Sequence, residues 1–287
     1  MRKKFLIPFI FLLVSCSPAT PVDHAMQGSS DMTHDHGSEM STTSSMDRLN
    51  DSPRHQEWVQ VKNGDKTMYT WVVYPETSEK RPVVILIHEN KGLNDWARGM
   101  ADQVAEAGYI AVVPDLLSGF SDTMKRTTDF PDADSATKAI SQLKPENVLS
   151  DLQAVADFAK TISASNGTLV SAGFCWGGAQ SFRFATERKD LAAAMVFYGT
   201  GPTDEASYAK ISSPVFGFYG GADARVNATI DQSKKFMTAA KKTYEYEIYE
   251  GAGHAFMRSG EDPNGEHANI DARNAAWERM KKILSSL

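Results

Sequence analysis

Apolar residues enter this chain in short unbroken runs, each followed by a stretch in which apolar positions recur at helical spacing. Glu57 to Val61 and Thr67 to Tyr74 are strand-like runs separated by Asn63-Gly64-Asp65, which predicts a hairpin. Val83 to His88 is wholly apolar up to its last residue and reads as a buried strand. Trp96 to Ala107 has an amphipathic helical period and is closed by Gly108; Tyr109 to Pro114 is the next buried strand. Leu116 to Phe130, with Gly119, Ser121 and Asp122, predicts a loop able to act as a lid or pocket wall. Helices over Asp134 to Leu143 and Pro145 to Ser163 lead to a strand at Thr168 to Ala172. Further strands are expected at Ala192 to Tyr198, Pro214 to Tyr219 and Tyr244 to Tyr249, with helices over Asn227 to Lys242 and Ala268 to Leu287. Buried strands alternating with helices predict the α/β class: a mostly parallel central sheet covered by helices on both faces. No internal repeat divides residues 55–287, which are expected to form one domain.

The first residues follow a different pattern. Arg2, Lys3 and Lys4 precede an apolar run from Phe5 to Val14 that is too short to span a bilayer. The run ends in Leu13-Val14-Ser15-Cys16, which resembles the lipobox of bacterial lipoproteins. That resemblance implies a signal peptide over residues 1–15 and a lipid on Cys16, anchoring the mature chain to a membrane without a spanning segment. Ser17, where an aspartate usually marks inner-membrane retention, points to the periplasmic face of the outer membrane. Residues 16–54 are rich in Ser, Thr, Asp, Met and His without hydrophobic period and predict a disordered tether. Its His24, Met26, Met32, His34, His36, Met40 and Met46 are ligands suited to soft metal ions, or simply solvated linker residues.

Composition is that of a globular protein: 287 residues, 41% hydrophobic and 23% charged. The net charge of -6 argues against nucleic acid as a partner, and loss of the three basic residues with the signal peptide makes the chain more acidic still. Nothing in the sequence asks for a partner subunit, so a monomer is the default. The cysteine count is two. With Cys16 lipidated, Cys175 has no disulfide partner, and a free thiol in an oxidising compartment is easiest to understand if its sulfur does chemistry.

Cys175 stands in Gly173-Phe174-Cys175-Trp176-Gly177, between the strand ending at Ala172 and the helix beginning near Gly178. This is the spacing of a nucleophile elbow with cysteine in place of serine. The two glycines are needed because side chains there would strike the neighbouring strand and helix. The following helix N-terminus favours a thiolate. Asp223 follows the strand from Pro214, and His254 follows the last strand, giving the order nucleophile, acid, histidine at three strand ends. His254 is placed to take the thiol proton and Asp223 to orient it. Asp204 is a rival acid that lies later in its own loop.

GFCWGG, YGGAD and GAGHAF, together with IHEN after the first buried parallel strand, resemble the dienelactone hydrolases (carboxymethylenebutenolidases), over roughly Glu57 to Leu287. The resemblance implies an α/β-hydrolase fold, no metal or other cofactor, and hydrolysis of a small ester or lactone through a thioester on Cys175. It implies that Glu89 pairs with the resting thiol and that the backbone N–H groups of Asn90 and Trp176 form an oxyanion hole. It further implies that Arg258 holds a substrate carboxylate. A second such arginine has no match, with Lys125 and Arg126 as candidates. The alternative is a catalytically weak binding lipoprotein whose tether sequesters metal.

Overall fold

The computed structural model describes residues 45–287. Cys16, the signal peptide and the Met/His positions up to Met40 lie outside them.

The described chain opens with α1 (Ser45–Asp51) and the hairpin of β1 (Gln56–Asn63) and β2 (Lys66–Val73). Next come β3 (Arg81–Ile87), α2 (Asp95–Glu106), β4 (Ile110–Pro114), α3 (Ala133–Ser141) and α4 (Pro145–Thr161). The chain continues through β5 (Ser165–Phe174), α5 (Trp176–Glu187), β6 (Leu191–Phe197), α6 (Glu205–Ala209), β7 (Val215–Gly220), α7 (Ala224–Asn227) and α8 (Ile230–Ala239). It ends with β8 (Tyr244–Tyr249), α9 (Phe256–Ser259) and α10 (His267–Ser285). The eight strands form one sheet in the order β1-β2-β4-β3-β5-β6-β7-β8. β1 and β2 pair antiparallel, as do β2 and β4; every pair from β4 onward is parallel.

The period-two alternation of β3 divides the core. Val83, Ile85 and Ile87 face a cluster that includes Leu152 and Val155 of α4, Phe182 of α5 and Met237 of α8. Val84 and Leu86 face a second cluster with Met100 and Val104 of α2 and Met280 and Leu284 of α10. Both sheet faces are therefore buried under helices, which is why the central strands are apolar throughout rather than alternating. The carboxyl ends of β3, β5, β6, β7 and β8 all open on one edge, where this architecture gathers its chemistry.

Two expectations change. The stretch read as tether is folded at its end: α1 lies within it, and the buried carboxylate of Asp102 on α2 draws in the chain that follows. Arg54 Nε and Nη2 each donate to Asp102 at 2.8 Å, and Ser52 Oγ lies 2.5 Å from it. A carboxylate with no exposed surface needs such partners. The helix expected over Asn227 to Lys242 is α8, shorter at both ends, and a separate helical turn, α7, precedes it across Ala228-Thr229. Among the described residues, no helix is long and apolar enough to cross a membrane.

Candidate active site

β5 delivers Cys175 on a tight turn into α5. Its backbone sits at φ 57°, ψ -117°, a conformation L-residues rarely adopt. Surrounding bonds hold it there: Cys175 N–H donates to the Phe197 carbonyl (3.0 Å), and the Cys175 carbonyl accepts from Gly178 and Ala179 at 3.0 and 3.3 Å. Gly173 and Gly177 are required by close approach. A Cβ on Gly173 would enter the Gly177 carbonyl, and one on Gly177 would enter the carbonyls of Ile87 and His88 at the end of β3. Four non-glycine residues among those described have positive φ, and three of them, Cys175, Tyr198 and Ala255, border this site. Strain concentrated in this way is a mark of function.

His254 reaches the thiol from the loop after β8. Its Nε2 is 3.0 Å from Cys175 Sγ, and its Nδ1–H donates to Asp223 Oδ2 at 2.5 Å. Asp223 is buried and also caps α7, accepting from Val226 N–H at 3.3 Å, so its carboxylate is fixed from two sides. The hydrogen bond to Cys175, with that to Asp223, pushes the His254 pKa up to about 9 against an opposing desolvation. The loop itself is pinned by Asn269 of α10, whose Oδ1 accepts the Gly253 N–H at 2.8 Å. The rival acid Asp204 is elsewhere engaged: it caps α6, accepting from Ser207 N–H at 2.9 Å.

Glu89 and Arg258 depart from expectation. The thiol's partner is His254, whereas the Glu89 carboxylate lies 2.9 Å from Arg258 Nε and accepts from Tyr198 Oη at 3.2 Å. Glu89 is 3% exposed, and a buried carboxylate is drawn to the nearest cation and hydroxyl. Arg258 is thereby half committed: the Glu89 charge raises its pKa in spite of partial burial. Tyr198 was not singled out in the sequence. It is buried, donates to Glu89, and meets the His254 ring edge-to-face at 5.1 Å. Burial and the Glu89 charge raise its pKa well above the ordinary value, so it stays a phenol.

A cleft of about 340 Å³ opens on Cys175, lined by Asn90, Trp176, Tyr198, Thr200 and Arg225 among others. Its outer wall is α3, through Thr137, Ile140 and Ser141. The loop from Leu116 to Phe130 is not this wall. It folds back on the hairpin, with Tyr69 N–H donating to Ser118 Oγ (2.9 Å) and Arg126 lying over the rings of Trp58 and Tyr69 at 5.5 and 5.4 Å. Lys125 lines a separate cleft beside Lys66 and Tyr69. The basic residue in the catalytic cleft is Arg225, two positions after Asp223 in Ala222-Asp223-Ala224-Arg225; its place after a strand-end aspartate was the available signal. Among the described residues, no three or more His, Cys, Asp or Glu side chains come together to hold a metal ion.

The dienelactone hydrolase family model matches residues 68–287. A Methylorubrum extorquens protein named "Putative carboxymethylenebutenolidase" is 30% identical over 211 residues, covering 69% of this chain and 71% of the relative. A Saccharolobus solfataricus protein of the same name is 32% identical over 230 residues, covering 70% and 88%. Among solved structures, a dienelactone hydrolase-like promiscuous phosphotriesterase from metagenomic libraries superposes with a TM-score of 0.70 at 23% identity, covering 82% of this chain and 98% of that one. The dienelactone hydrolase of Anabaena variabilis gives 0.59 at 16% identity, covering 79% and 97%. Those two likenesses speak for the shared α/β-hydrolase fold. With the family model spanning β3 to β8 and every strand-end loop described above, the chain belongs to the dienelactone hydrolase family of ester and lactone hydrolases.

Proposed function

We propose that this protein hydrolyses small esters or lactones through a thioester on Cys175, with His254 and Asp223 as its base and orienting acid. The observation that carries this reading is the unbroken chain Sγ–Nε2 (3.0 Å) and Nδ1–Oδ2 (2.5 Å) at the mouth of a cleft. His254 takes the thiol proton, and the Cys175 thiolate attacks the substrate carbonyl carbon. The carbonyl electron pair moves to oxygen, where the N–H groups of Asn90 and Trp176 receive it. Collapse of this adduct expels the alcohol oxygen, which takes the proton from His254 Nε2 and leaves a thioester. Water then gives a proton to Nε2 as it attacks the thioester, and a second collapse releases the acid and restores the thiolate. Asp223 holds Nδ1–H throughout, so Nε2 always faces the sulfur. Because Glu89 is engaged with Arg258 and Tyr198, the resting thiol is governed by His254. Arg225 presents an exposed positive charge to the cleft and favours substrates that carry an anionic group.

The test is hydrolysis of p-nitrophenyl acetate and of a dienelactone by the full chain, its iodoacetamide-treated form and Cys175→Ala. Turnover is expected in the untreated protein alone, with an unchanged melting temperature in the variant. Turnover by a folded Cys175→Ala variant overturns the proposal. The N-terminal sequence supports a second, independent proposal, lipid anchoring at Cys16 after export. It predicts that Cys16→Ala moves the protein from the membrane to the soluble fraction.

A further inference from the structure

The proposed function needs the Asn90 N–H aimed into the cleft. That N–H belongs to the same peptide as the Glu89 carbonyl. A trans peptide is planar and its C=O and N–H point in opposite directions, and no cis peptide occurs among the described residues. Whatever fixes the Glu89 carbonyl therefore fixes the Asn90 N–H.

Two groups hold that carbonyl: His88 Nδ1 at 2.7 Å and the Gly92 N–H at 3.3 Å. The His88 ring is 1% exposed, and its other nitrogen, Nε2, lies 3.2 Å from the Leu116 N–H. A backbone N–H only donates and a carbonyl only accepts. Nε2 is therefore the acceptor and Nδ1 carries the proton, so one neutral tautomer satisfies both contacts. Burial holds His88 in that neutral form by lowering its pKa, against the pull of nearby Asp115. The same ring stacks on Trp176, with centroids 5.7 Å apart and planes at 18°, and Trp176 supplies the second N–H of the proposed hole. Beyond it, Thr127 ties down the far end of the loop: its Oγ1 accepts from Leu93 N–H at 2.9 Å and donates to the buried Asp115 at 2.8 Å.

We propose that His88 is a positioning residue for the oxyanion hole, its Nδ1–H orienting the Glu89–Asn90 peptide while its ring seats Trp176. This rests on the cysteine-hydrolase reading above. It assigns a role to a side chain that has no contact with substrate, and it separates two quantities that a merely structural histidine would move together. Alkylation of Cys175 by iodoacetamide passes through no carbonyl oxyanion, whereas ester hydrolysis does.

The experiment compares the full chain with His88→Phe, His88→Asn and His88→Gln. It follows kcat and KM for p-nitrophenyl acetate, the rate of iodoacetamide alkylation and the melting temperature. Phe keeps a ring against Trp176 and loses the donor. Asn places an amide near the position of Nδ1, and Gln near that of Nε2. In His88→Phe, kcat is expected to fall by about tenfold or more, below the roughly hundredfold or greater loss from deleting an oxyanion donor outright, with KM and the alkylation rate within about twofold. His88→Asn is expected to return kcat to within about threefold of wild type, and His88→Gln to resemble His88→Phe. Unchanged kcat in His88→Phe overturns the inference, as does a parallel loss of kcat and alkylation rate. If His88→Phe does not fold, equal kcat in His88→Asn and His88→Gln overturns it. Failure of the underlying reading is distinct: Cys175→Ala would then retain turnover, and the inference would fall with it.

Discussion

Glu89 and Arg258 form a buried ion pair, 2.9 Å between Oε2 and Nε, in which the two partners differ sharply in exposure: 3% for the carboxylate side chain and 37% for the guanidinium. The difference sets the cost of breaking the pair from each side. In Arg258→Ala a carboxylate is left in the interior with only Tyr198 to satisfy it, a loss of about 3 kcal/mol or more. In Glu89→Gln the arginine can turn to water and an amide oxygen still accepts from Tyr198, so the loss is about 1 kcal/mol. Urea denaturation of the two variants is expected to rank them in that order. The reverse ranking would mean that the charge of Glu89 is not sustained by Arg258.

The elbow makes a steric prediction. Gly177→Ala drives a methyl group into the carbonyls of Ile87 and His88, which belong to a central strand and its exit loop and cannot give way. Overpacking of this kind costs about 3 kcal/mol, the upper part of the usual range, because the atoms struck are backbone. A lowered melting temperature together with lost esterase activity is expected. A variant as stable as wild type would show that β3 and the elbow can separate.

Much of this arrangement was legible in the sequence because it is written in local chemistry. The apolar runs gave the strands, since both sheet faces are buried, and the elbow glycines marked a turn with no space for side chains. Asp223 and His254 were readable because strand ends are where this fold places reacting groups. What was not legible depends on contacts between distant loops. The resemblance gives Glu89 to the Cys175 thiol, and only the fold brings Arg258 and Tyr198, each more than a hundred positions away, to its two oxygens. The loop from Leu116 to Phe130 has the composition of a lid, but Arg126 finds two aromatic faces on the hairpin and draws it aside. The break between α7 and α8 has no glycine or proline to announce it.

The titration of His254 should respond to the loss of its neighbour. Its pKa is raised from 6.5 to about 9, with the hydrogen bond to Cys175 as the largest cause. Cys175→Ala removes that contribution and leaves Asp223 opposed by desolvation, so the imidazole resonances are expected to titrate well below 9. The sign for stability follows from linkage. A folded-state pKa above the unfolded one means that protonated His254 contributes stability fully below about 6.5 and loses it as pH rises through about 9. The melting-temperature gap between wild type and His254→Gln is therefore expected to narrow over that interval. A gap constant from pH 6 to about 10 would show that His254 does not change charge there.

Arg225 offers the sharpest test of substrate selection. It is exposed, lines the cleft with Cys175, and forms no ion pair among the described residues, unlike Arg258, whose charge is shared with Glu89. An unpaired guanidinium at the cleft mouth attracts an anionic substituent but does little for a neutral one. Arg225→Gln is expected to raise KM for an ester bearing a free carboxylate by about tenfold, equivalent to roughly 1.4 kcal/mol, and to leave p-nitrophenyl acetate within about twofold. Because the site is open to solvent, the wild-type preference should itself weaken as salt is raised from about 0.01 to 1 M, where screening contracts from about 30 to 3 Å. The variant should show little such dependence. Equal losses on charged and neutral esters would mean that Arg225 serves as a wall of the cleft and that its charge does not select the substrate.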